Sequence, residues 1–301
     1  MADTAAGHTR FERQRSRDRA DTSGAVPRRR WKDVAVRTWK AMKRDNVPLL
    51  AAGVAFFGLL ALVPSLVAFV STYGLVADPD EVQTNVDDAL AAAPTEVRDL
   101  VESQLSSIVE SEPSGLQLGA LIGLVVALWS ASAGMKHLVS AVNQAYGEEE
   151  GRGFVRLRGL ALGLTIGAIV LLAVTAALLL VLPRTLDGSG SEGALRDAVM
   201  IVRWPVFAVL AMVGLSILYR LAPDRPGSRW RWMSPGAVFA TVGWLLASVG
   251  FAIYTANFGN YNETYGALGA IIVVMLWLYI TAYVVIAGAE LNSELEKSQA
   301  A

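Results

Sequence analysis

The sequence predicts an all-α membrane protein that crosses the bilayer six times, and three observations support this fold class. Hydrophobic residues make up 53% of the 301 residues and charged residues only 18%, whereas soluble domains carry about 25% charged residues. The apolar residues form long runs and do not alternate with the period of a surface helix or strand. The charged residues are segregated between successive loops, as is usual in polytopic membrane proteins.

Six apolar runs are long enough to cross the hydrocarbon core, which takes about 20 residues of helix. The second run is interrupted by Lys136 and His137, and its helix is expected to continue from the membrane into water. The predicted spans lie at about residues 49–76, 116–135, 160–183, 201–222, 234–256 and 267–290.

The distribution of basic residues predicts the orientation of these spans. With both termini in the cytoplasm, 22 of the 26 Lys and Arg residues fall on the cytoplasmic side. The four on the other side are Arg98, Arg184, Arg196 and Arg203. This excess follows the positive-inside pattern, so both termini are predicted to be cytoplasmic.

Residues 1–30 are predicted to be a disordered basic tail in front of a membrane domain at residues 31–297. Residues 1–48 hold 13 basic and six acidic residues, and the tail has few aromatic or branched aliphatic side chains to bury. The polar run is too long for a signal peptide and contains no short apolar region with a cleavage site. Because a basic segment beside a membrane span attracts anionic lipid headgroups, we expect membrane lipids as its partners.

The segment between the first two spans, residues 77–115, predicts an extracytoplasmic amphipathic helical hairpin. It contains ten acidic residues and a single base, Arg98. Val97, Val101 and Leu105 recur on one helical face, with acidic residues on the other. The hairpin either covers the outer ends of the spans or acts as a lid or a partner-docking element.

Glycines and one proline predict how the spans pack. Glycines recur at four-residue spacing at the start of the second and third spans, and such ridges let helices approach closely in lipid. We expect these ridges to pack inside the protomer; they comprise Gly115, Gly119, Gly123, Gly159, Gly163 and Gly167. Pro64 removes a backbone hydrogen bond inside the first span. The predicted kink there either fits the helix against its neighbours or acts as a hinge.

Three blocks of sequence resemble one known family. The first span holds "AAGVAFFGLLALVPSLVAF", a second block reads "LWSASAGMKHLVSAVNQAYGEEEGR", and a third begins "LYRLAPDRPGSRWRWMSPGAV". Over residues 33–297 the chain resembles the YihY/BrkB family of bacterial inner-membrane proteins. The resemblance implies a six-span helical protein in the bacterial cytoplasmic membrane. The family has carried labels as a virulence factor and as a ribonuclease, and movement of lipids or other amphiphiles is a family-level expectation.

The residue types that enzymes use are scarce in this chain. It has no cysteine and two histidines, His8 and His137, whereas a metal-dependent nuclease needs several converging His, Asp or Glu ligands. The sequence contains no Walker loop, Rossmann fingerprint or nucleophile elbow. We therefore expect no catalytic residue, no metal, no cofactor and no nucleic-acid partner, and any transport is expected to proceed without nucleotide hydrolysis.

Polar residues between the fifth and sixth spans form a first candidate site. Asn amides and Tyr hydroxyls are suited to contact a headgroup at the outer mouth, and Glu263 is the sole acid there. An ordinary exposed turn is the alternative, because Asn and Gly suit turns and Tyr favours the membrane interface. The candidate gate comprises Asn257, Asn260, Tyr261, Asn262, Glu263 and Tyr265.

A second candidate site is a set of polar residues near the cytoplasmic ends of the second and sixth spans, where polar groups are costly unless paired or functional. The charge of Glu290 opposes the helix dipole at its predicted position. A salt bridge to Arg156, Arg158 or Arg220 is therefore expected, with proton or ion coupling as the alternative. This inner cluster comprises Trp129, Ser130, Ser132, Lys136, Asn143, Glu290 and Asn292.

Two functions from different classes fit these features. One is a membrane protein that transports or flips a lipid or an amphiphilic solute. The other is a non-transporting scaffold that binds cell-envelope partners through its acidic hairpin and basic tail. A cavity lined by the polar residues and open to one leaflet favours the transporter, and a tightly packed bundle with a flat apolar patch favours the scaffold. The sequence leaves the oligomeric state open.

Overall fold

The computed structural model describes residues 28–74, 116–178, 194–225, 234–257 and 267–300, and the regular structure in these ranges is helical. The long helices are α1 Arg28–Arg44, α2 Val47–Gly74, α3 Leu116–Ala145, α4 Phe154–Ala176, α5 Ala194–Leu221, α6 Pro235–Asn257 and α7 Ala267–Ala300. The predicted all-α fold class is confirmed for this part of the chain. The predicted hairpin at 77–115 and residues 1–27 of the predicted tail lie outside the described residues.

The length and apolar character of the helices confirm a polytopic membrane protein. Within the described ranges, five helices are long and apolar enough to cross a membrane, and α1 with the start of α2 passes the same test as a bent pair, which gives up to six. The helices overlap the predicted spans, and several extend beyond them. Helix α3 continues through Lys136 to Ala145, as expected, whereas α4 and α5 begin earlier than predicted, at Phe154 and Ala194, and α7 continues past residue 290 to Ala300.

Helix α1 is an element that the long apolar runs do not reveal. It begins at Arg28 and buries Val34, Thr38 and Ala41, which recur every three to four residues and therefore share one face. This face packs against α7. A bend of 62° then separates α1 from α2. Asn46 lies at the bend with a φ of 50°, in the left-handed region that Asn tolerates better than most residues.

Helix α7 lies at the centre of the arrangement. It packs against α1, α2, α3 and α6, whereas α4 packs between α3 and α5, and α5 between α4 and α6. The residues buried along α7 are mostly small or branched, with Ala282, Ile286 and Ala289 among them. Small side chains let neighbouring helices approach closely, so packing contacts stabilise this part of the bundle where the hydrophobic effect cannot.

Helices α4 and α5 keep most of their apolar surface on the outside of the protein. Val170 and Leu172 on α4 and Ile201 on α5 are each more than half exposed. Such surfaces would be a liability in water, but the bilayer covers them in a polytopic protein. The exposed faces therefore mark the lipid-facing side of the bundle.

Two close helix crossings depend on glycine. A Cβ atom at Gly134 of α3 would lie 2.9 Å from the Cβ atom of Ala61 on α2. At Gly288 of α7, a Cβ atom would lie 2.5 Å from the hydroxyl of Tyr219 and 2.7 Å from the carbonyl oxygen of Gly236. Both helix pairs therefore meet backbone to backbone.

The prediction for the glycine ridge of α4 is wrong. Gly159, Gly163 and Gly167 have open space where a Cβ atom would lie. Helix α4 buries the neighbouring stripe of Ala161 and Thr165 instead. Four-residue spacing identifies a smooth face but not the direction in which it points. The surroundings of Gly115, Gly119 and Gly123 lie outside the described side chains.

Pro64 lies inside α2, as the sequence indicates. The hydroxyl of Ser65 donates a hydrogen bond of 2.6 Å to the carbonyl oxygen of Ala61 beside it. Helix α5 also contains a proline, Pro205, which the sequence analysis did not single out. The role of Pro64 as a hinge stays a prediction.

Candidate functional site

Buried polar side chains gather at one end of the bundle, which we call the α1 end. Hydrogen bonds and ion pairs connect α1, the loop between α3 and α4, the end of α5, the start of α6 and the last turns of α7 there. We define the polar cluster of this end as Asn143, Tyr219, Asp224, Ser234, Glu290 and Asn292. Apart from Asp224 and Ser234, its members are buried.

Asn292 fastens the start of α6 to α7. Its Oδ1 atom accepts a hydrogen bond of 2.7 Å from the backbone N–H of Gly236, and its Nδ2 group donates one of 3.0 Å to the Oγ atom of Ser234. The same Oγ atom accepts a bond of 3.1 Å from the N–H of Ala237, which makes Ser234 the N-cap of α6. Asn292 is 3% exposed, so these bonds satisfy a buried amide in a structural role.

Asn143 and Asp224 fasten the end of α5 to the loop after α3. The Oδ1 atom of Asn143 accepts a hydrogen bond of 2.8 Å from the backbone N–H of Asp224. The carboxylate of Asp224 accepts one of 2.9 Å from the N–H of Gly151. Arg152 donates to the carbonyl oxygens of Leu221 and Ala222 at 3.2 and 2.7 Å. These bonds satisfy backbone groups at helix ends, which have no partner within the helix.

The α3–α4 loop also holds an ion pair whose pH dependence can be predicted. Arg152 donates to Glu150 at 2.7 Å, and this hydrogen bond lowers the pKa of Glu150 from its ordinary value of 4.5. A lowered pKa in the folded state contributes stability above pH 4.5 that is lost as the pH falls through the folded-state pKa. We expect Glu150→Gln to lower the melting temperature slightly at pH 7, and the difference from the wild type to vanish in acid. A difference independent of pH would contradict this assignment, and melting curves from pH 3 to pH 7 measure it.

Tyr219 joins α5 to the centre of the bundle. Its hydroxyl donates a hydrogen bond of 2.7 Å to the carbonyl oxygen of Val285 on α7, and the residue is 3% exposed. A buried tyrosine hydroxyl usually finds such a partner. Tyr219, like Asn292 and Asn143, is therefore accounted for by packing and hydrogen bonding.

Glu290 differs from the other members of the polar cluster. It is 0% exposed, and its carboxyl group lies close to that of Asp45 at the α1–α2 joint without a hydrogen bond of good geometry in the described part of the chain. The charged groups that act on it are Asp45 at the α1–α2 joint, Arg44 of α1 and Lys297 of α7. A buried carboxyl group without a basic partner is costly, so the fold itself gives no reason for an acid at this position.

The predicted salt bridge of Glu290 is wrong. Arg158 instead donates to the carbonyl oxygen of Trp129 at 2.6 Å and lies 4.2 Å over its ring. Arg156 is exposed, and Arg220 makes other contacts. The helix dipole also has little effect on Glu290, because α7 continues to Ala300 and Glu290 lies well inside the helix.

The structure divides the predicted inner cluster into two groups. Asn143, Glu290 and Asn292 belong to the α1 end, whereas Ser132 lies three turns earlier on α3, about 16 Å along the helix from Asn143. Ser132 is fully buried and donates to the carbonyl oxygen of Trp129 at 2.7 Å. The other residues of this second group, Trp129, Ser130 and Lys136, are partly or largely exposed.

The predicted outer gate falls almost entirely beyond the described residues. Asn257 is the last residue of α6. The others lie outside the described ranges: Asn260, Tyr261, Asn262, Glu263 and Tyr265. Their role stays a prediction.

Sequence reasoning missed Tyr219, Asp224, Ser234 and Asp45. For Ser234 a local signal exists, because Ser followed by Pro is the preferred start of a helix. The other three gain their importance from contacts between helices that are distant in sequence.

Residues 38–301 match the family model described as virulence factor BrkB. The chain belongs to the BrkB family. The matched region begins within α1 and contains α2 to α7, so the α1 end and its polar cluster lie inside the BrkB region.

Two BrkB relatives cover most of this chain. A protein of Bacillus subtilis (strain 168), named a putative ribonuclease-like protein YfkH, is 36% identical over 82% of this chain and 89% of its own. A protein of Idiomarina loihiensis, named a UPF0761 membrane protein, is 26% identical over 85% of this chain and 88% of its own. No solved structure matches the chain.

Within the described residues, no group of three or more His, Asp or Glu side chains is placed to hold a metal ion. His137 stacks on Phe57, with ring centroids 3.5 Å apart. This contact gives the histidine a packing role between α3 and α2.

Proposed function

We propose that this BrkB-family protein moves a lipid or another amphiphilic solute across the bacterial cytoplasmic membrane without nucleotide hydrolysis. The observation that carries the proposal is the buried carboxyl group of Glu290. Buried ionisable groups in membrane proteins are costly, and they commonly mark the path of a substrate or a coupling ion.

The comparison of Glu290 with Asn292 supports a functional role for the acid. The two residues lie two positions apart on α7, and both are buried. Every polar atom of the Asn292 side chain has a role in fixing α6, whereas the Glu290 carboxyl group forms no ion pair with a base among the described residues and faces a second carboxyl group, that of Asp45. Asn292 is thus explained by stability and Glu290 is not.

The surface of the bundle supports an amphiphilic substrate. The wide apolar faces of α4 and α5 are open to the bilayer. Arg158 and the exposed Trp129 place a guanidinium group and an aromatic ring at the boundary between α3 and α4. A cation beside apolar surface suits a molecule with an anionic head and an apolar body.

The test is a flux measurement on the intact protein. The purified chain is reconstituted in phospholipid vesicles, and transbilayer movement of fluorescent phospholipids is measured with and without an ion gradient. We expect faster movement than in protein-free vesicles. If several lipid classes move no faster than in the empty vesicles, with and without the gradient, the transport proposal is overturned and the scaffold is favoured.

We do not extend the ribonuclease-like name of the B. subtilis relative to this chain. Metal-assisted cleavage of RNA needs several ligands that converge on a cation. Of the two histidines in the sequence, His137 is engaged with Phe57. We expect purified protein to leave a labelled transfer RNA uncleaved in the presence of Mg²⁺ or Zn²⁺.

A further inference from the structure

We propose that α1 is a membrane-surface helix whose exposed face binds anionic phospholipid headgroups. This inference is independent of the transport proposal, because it rests on the outer face of α1 and not on the polar cluster.

One face of α1 is fixed against the protein. Val34, Ala41 and Met42 are buried against the bundle, and Thr38 lies on the same face. Arg37 forms an ion pair of 3.4 Å with Glu294 of α7. Helix α1 is therefore held in one orientation, and the same residues always point outward.

The outward face contains an aromatic stripe. Trp31 is 42% exposed, Trp39 is 55% exposed, and Ala35 lies between them at four-residue spacing, so the three residues share one side of the helix. Val36, also 55% exposed, adds to this apolar surface. Tryptophan is enriched where a membrane meets water, because its ring is apolar and its N–H group is polar.

Three exposed lysines flank the stripe. Lys32, Lys40 and Lys43 have no carboxylate partner among the described residues, and the ammonium group of Lys43 lies 5.1 Å from the ring centroid of Trp39. The sole acid of α1 is Asp33. Helix α1 thus presents free positive charge beside apolar surface, the combination that places amphipathic helices at anionic membrane surfaces.

The bend between α1 and α2 gives this face a suitable direction. A change of 62° carries α1 from the direction of a spanning helix most of the way toward the bilayer plane. Its 17 residues extend about 25 Å along that surface. An acidic protein or RNA would also attract the lysines, but neither accounts for two exposed tryptophans directly beside a membrane span.

The absence of cysteine from the sequence permits a direct test by single-site labelling. Spin labels are attached to Ala35→Cys on the stripe and, as the matched control, to Asp33→Cys on the opposite side of α1. The intact protein is reconstituted in vesicles of phosphatidylcholine alone or with added phosphatidylglycerol. Collisions of each label with oxygen and with a water-soluble nickel chelate report its depth.

We expect the label at position 35 to be shielded from the nickel chelate several-fold more than the label at position 33, and phosphatidylglycerol to increase the difference. Replacing Lys32, Lys40 and Lys43 together by Gln should remove the phosphatidylglycerol effect, and replacing them by Arg should keep it. Equal nickel access at both positions overturns the proposal. The proposal is also overturned if shielding appears only when RNA or an acidic protein is added. A phosphatidylglycerol effect that survives the replacement of the three lysines by Gln would overturn it as well.

Discussion

Replacing Gly288 by alanine is expected to destabilise the bundle strongly. The added methyl group would lie 2.5 Å from the hydroxyl of Tyr219, 2.7 Å from the carbonyl oxygen of Gly236 and 2.9 Å from the Cβ atom of Ala240. Forcing extra atoms into a packed site costs about 1–3 kcal/mol or more. One of these neighbours is backbone, which cannot rotate away, so the upper part of that range is expected.

Thermal unfolding in detergent measures this effect, and the chain provides its own control. Gly163→Ala adds the same methyl group to a helix of the same protein, where nothing lies within 4 Å. We expect the Gly163 variant to melt within a degree or two of the wild type and the Gly288 variant to melt well below it. Equal melting temperatures for the two variants would show that α6 and α7 do not cross closely at Gly288.

The second large effect is expected for Asn292→Ala. The change removes the acceptor for the Gly236 N–H group and the donor to Ser234, and it leaves polar groups buried beside the start of α6. Losing these bonds costs about 2–4 kcal/mol, most of it from the unsatisfied N–H group. Gln144→Ala, which removes an exposed amide, is the control.

Hydrogen exchange shows which part of the Asn292 variant is destabilised and by how much. The amides of the first turn of α6 should exchange faster in the Asn292 variant, while those in the middle of α4 should be unchanged. If both regions exchange as in the wild type, Asn292 does not fasten α6. If Asn292→Ala unfolds the whole chain, comparison with the Gln144 variant still shows that Asn292 is needed for stability.

The spanning helices could be predicted from sequence because their signal is the composition of a continuous segment. Twenty apolar residues cross a bilayer whatever their neighbours are. The end of α7 was harder to place: residues 291–300 are too polar to read as membrane, yet Ser293 and Leu295 are buried and Glu294 pairs with Arg37 of α1. Tertiary contacts extend the helix beyond the apolar run.

Helix α1 was not predicted from the sequence because few of its residues are buried and many of them are charged. Val34, Ala41 and Met42 do follow a helical period, so the signal was present but weak. The partners of polar residues could not be predicted in the same way. Asn143 meets Asp224 from 81 positions away in sequence, and nothing local in either segment indicates that contact.

The glycine ridges show the same limit. Gly159 and Gly163 have the spacing of a packing face, as sequence reasoning noted, but the face is open. Gly236 and Gly288 lie in different helices and have no spacing pattern to join them, yet they form the close crossing. Which surface meets which neighbour is decided by the whole bundle.

Asn292 has a structural role and Glu290 is proposed to have a functional one, and a single pair of measurements on Glu290→Gln tests this difference. The variant keeps the shape of the side chain and removes the acidic carboxyl group, so we expect a melting temperature equal to or above that of the wild type. In the vesicle assay the same variant should lose lipid movement, while the exposed control Glu149→Gln should retain it. Wild-type flux in the Glu290 variant, or a fall in melting temperature that matches the fall in flux, would contradict the account.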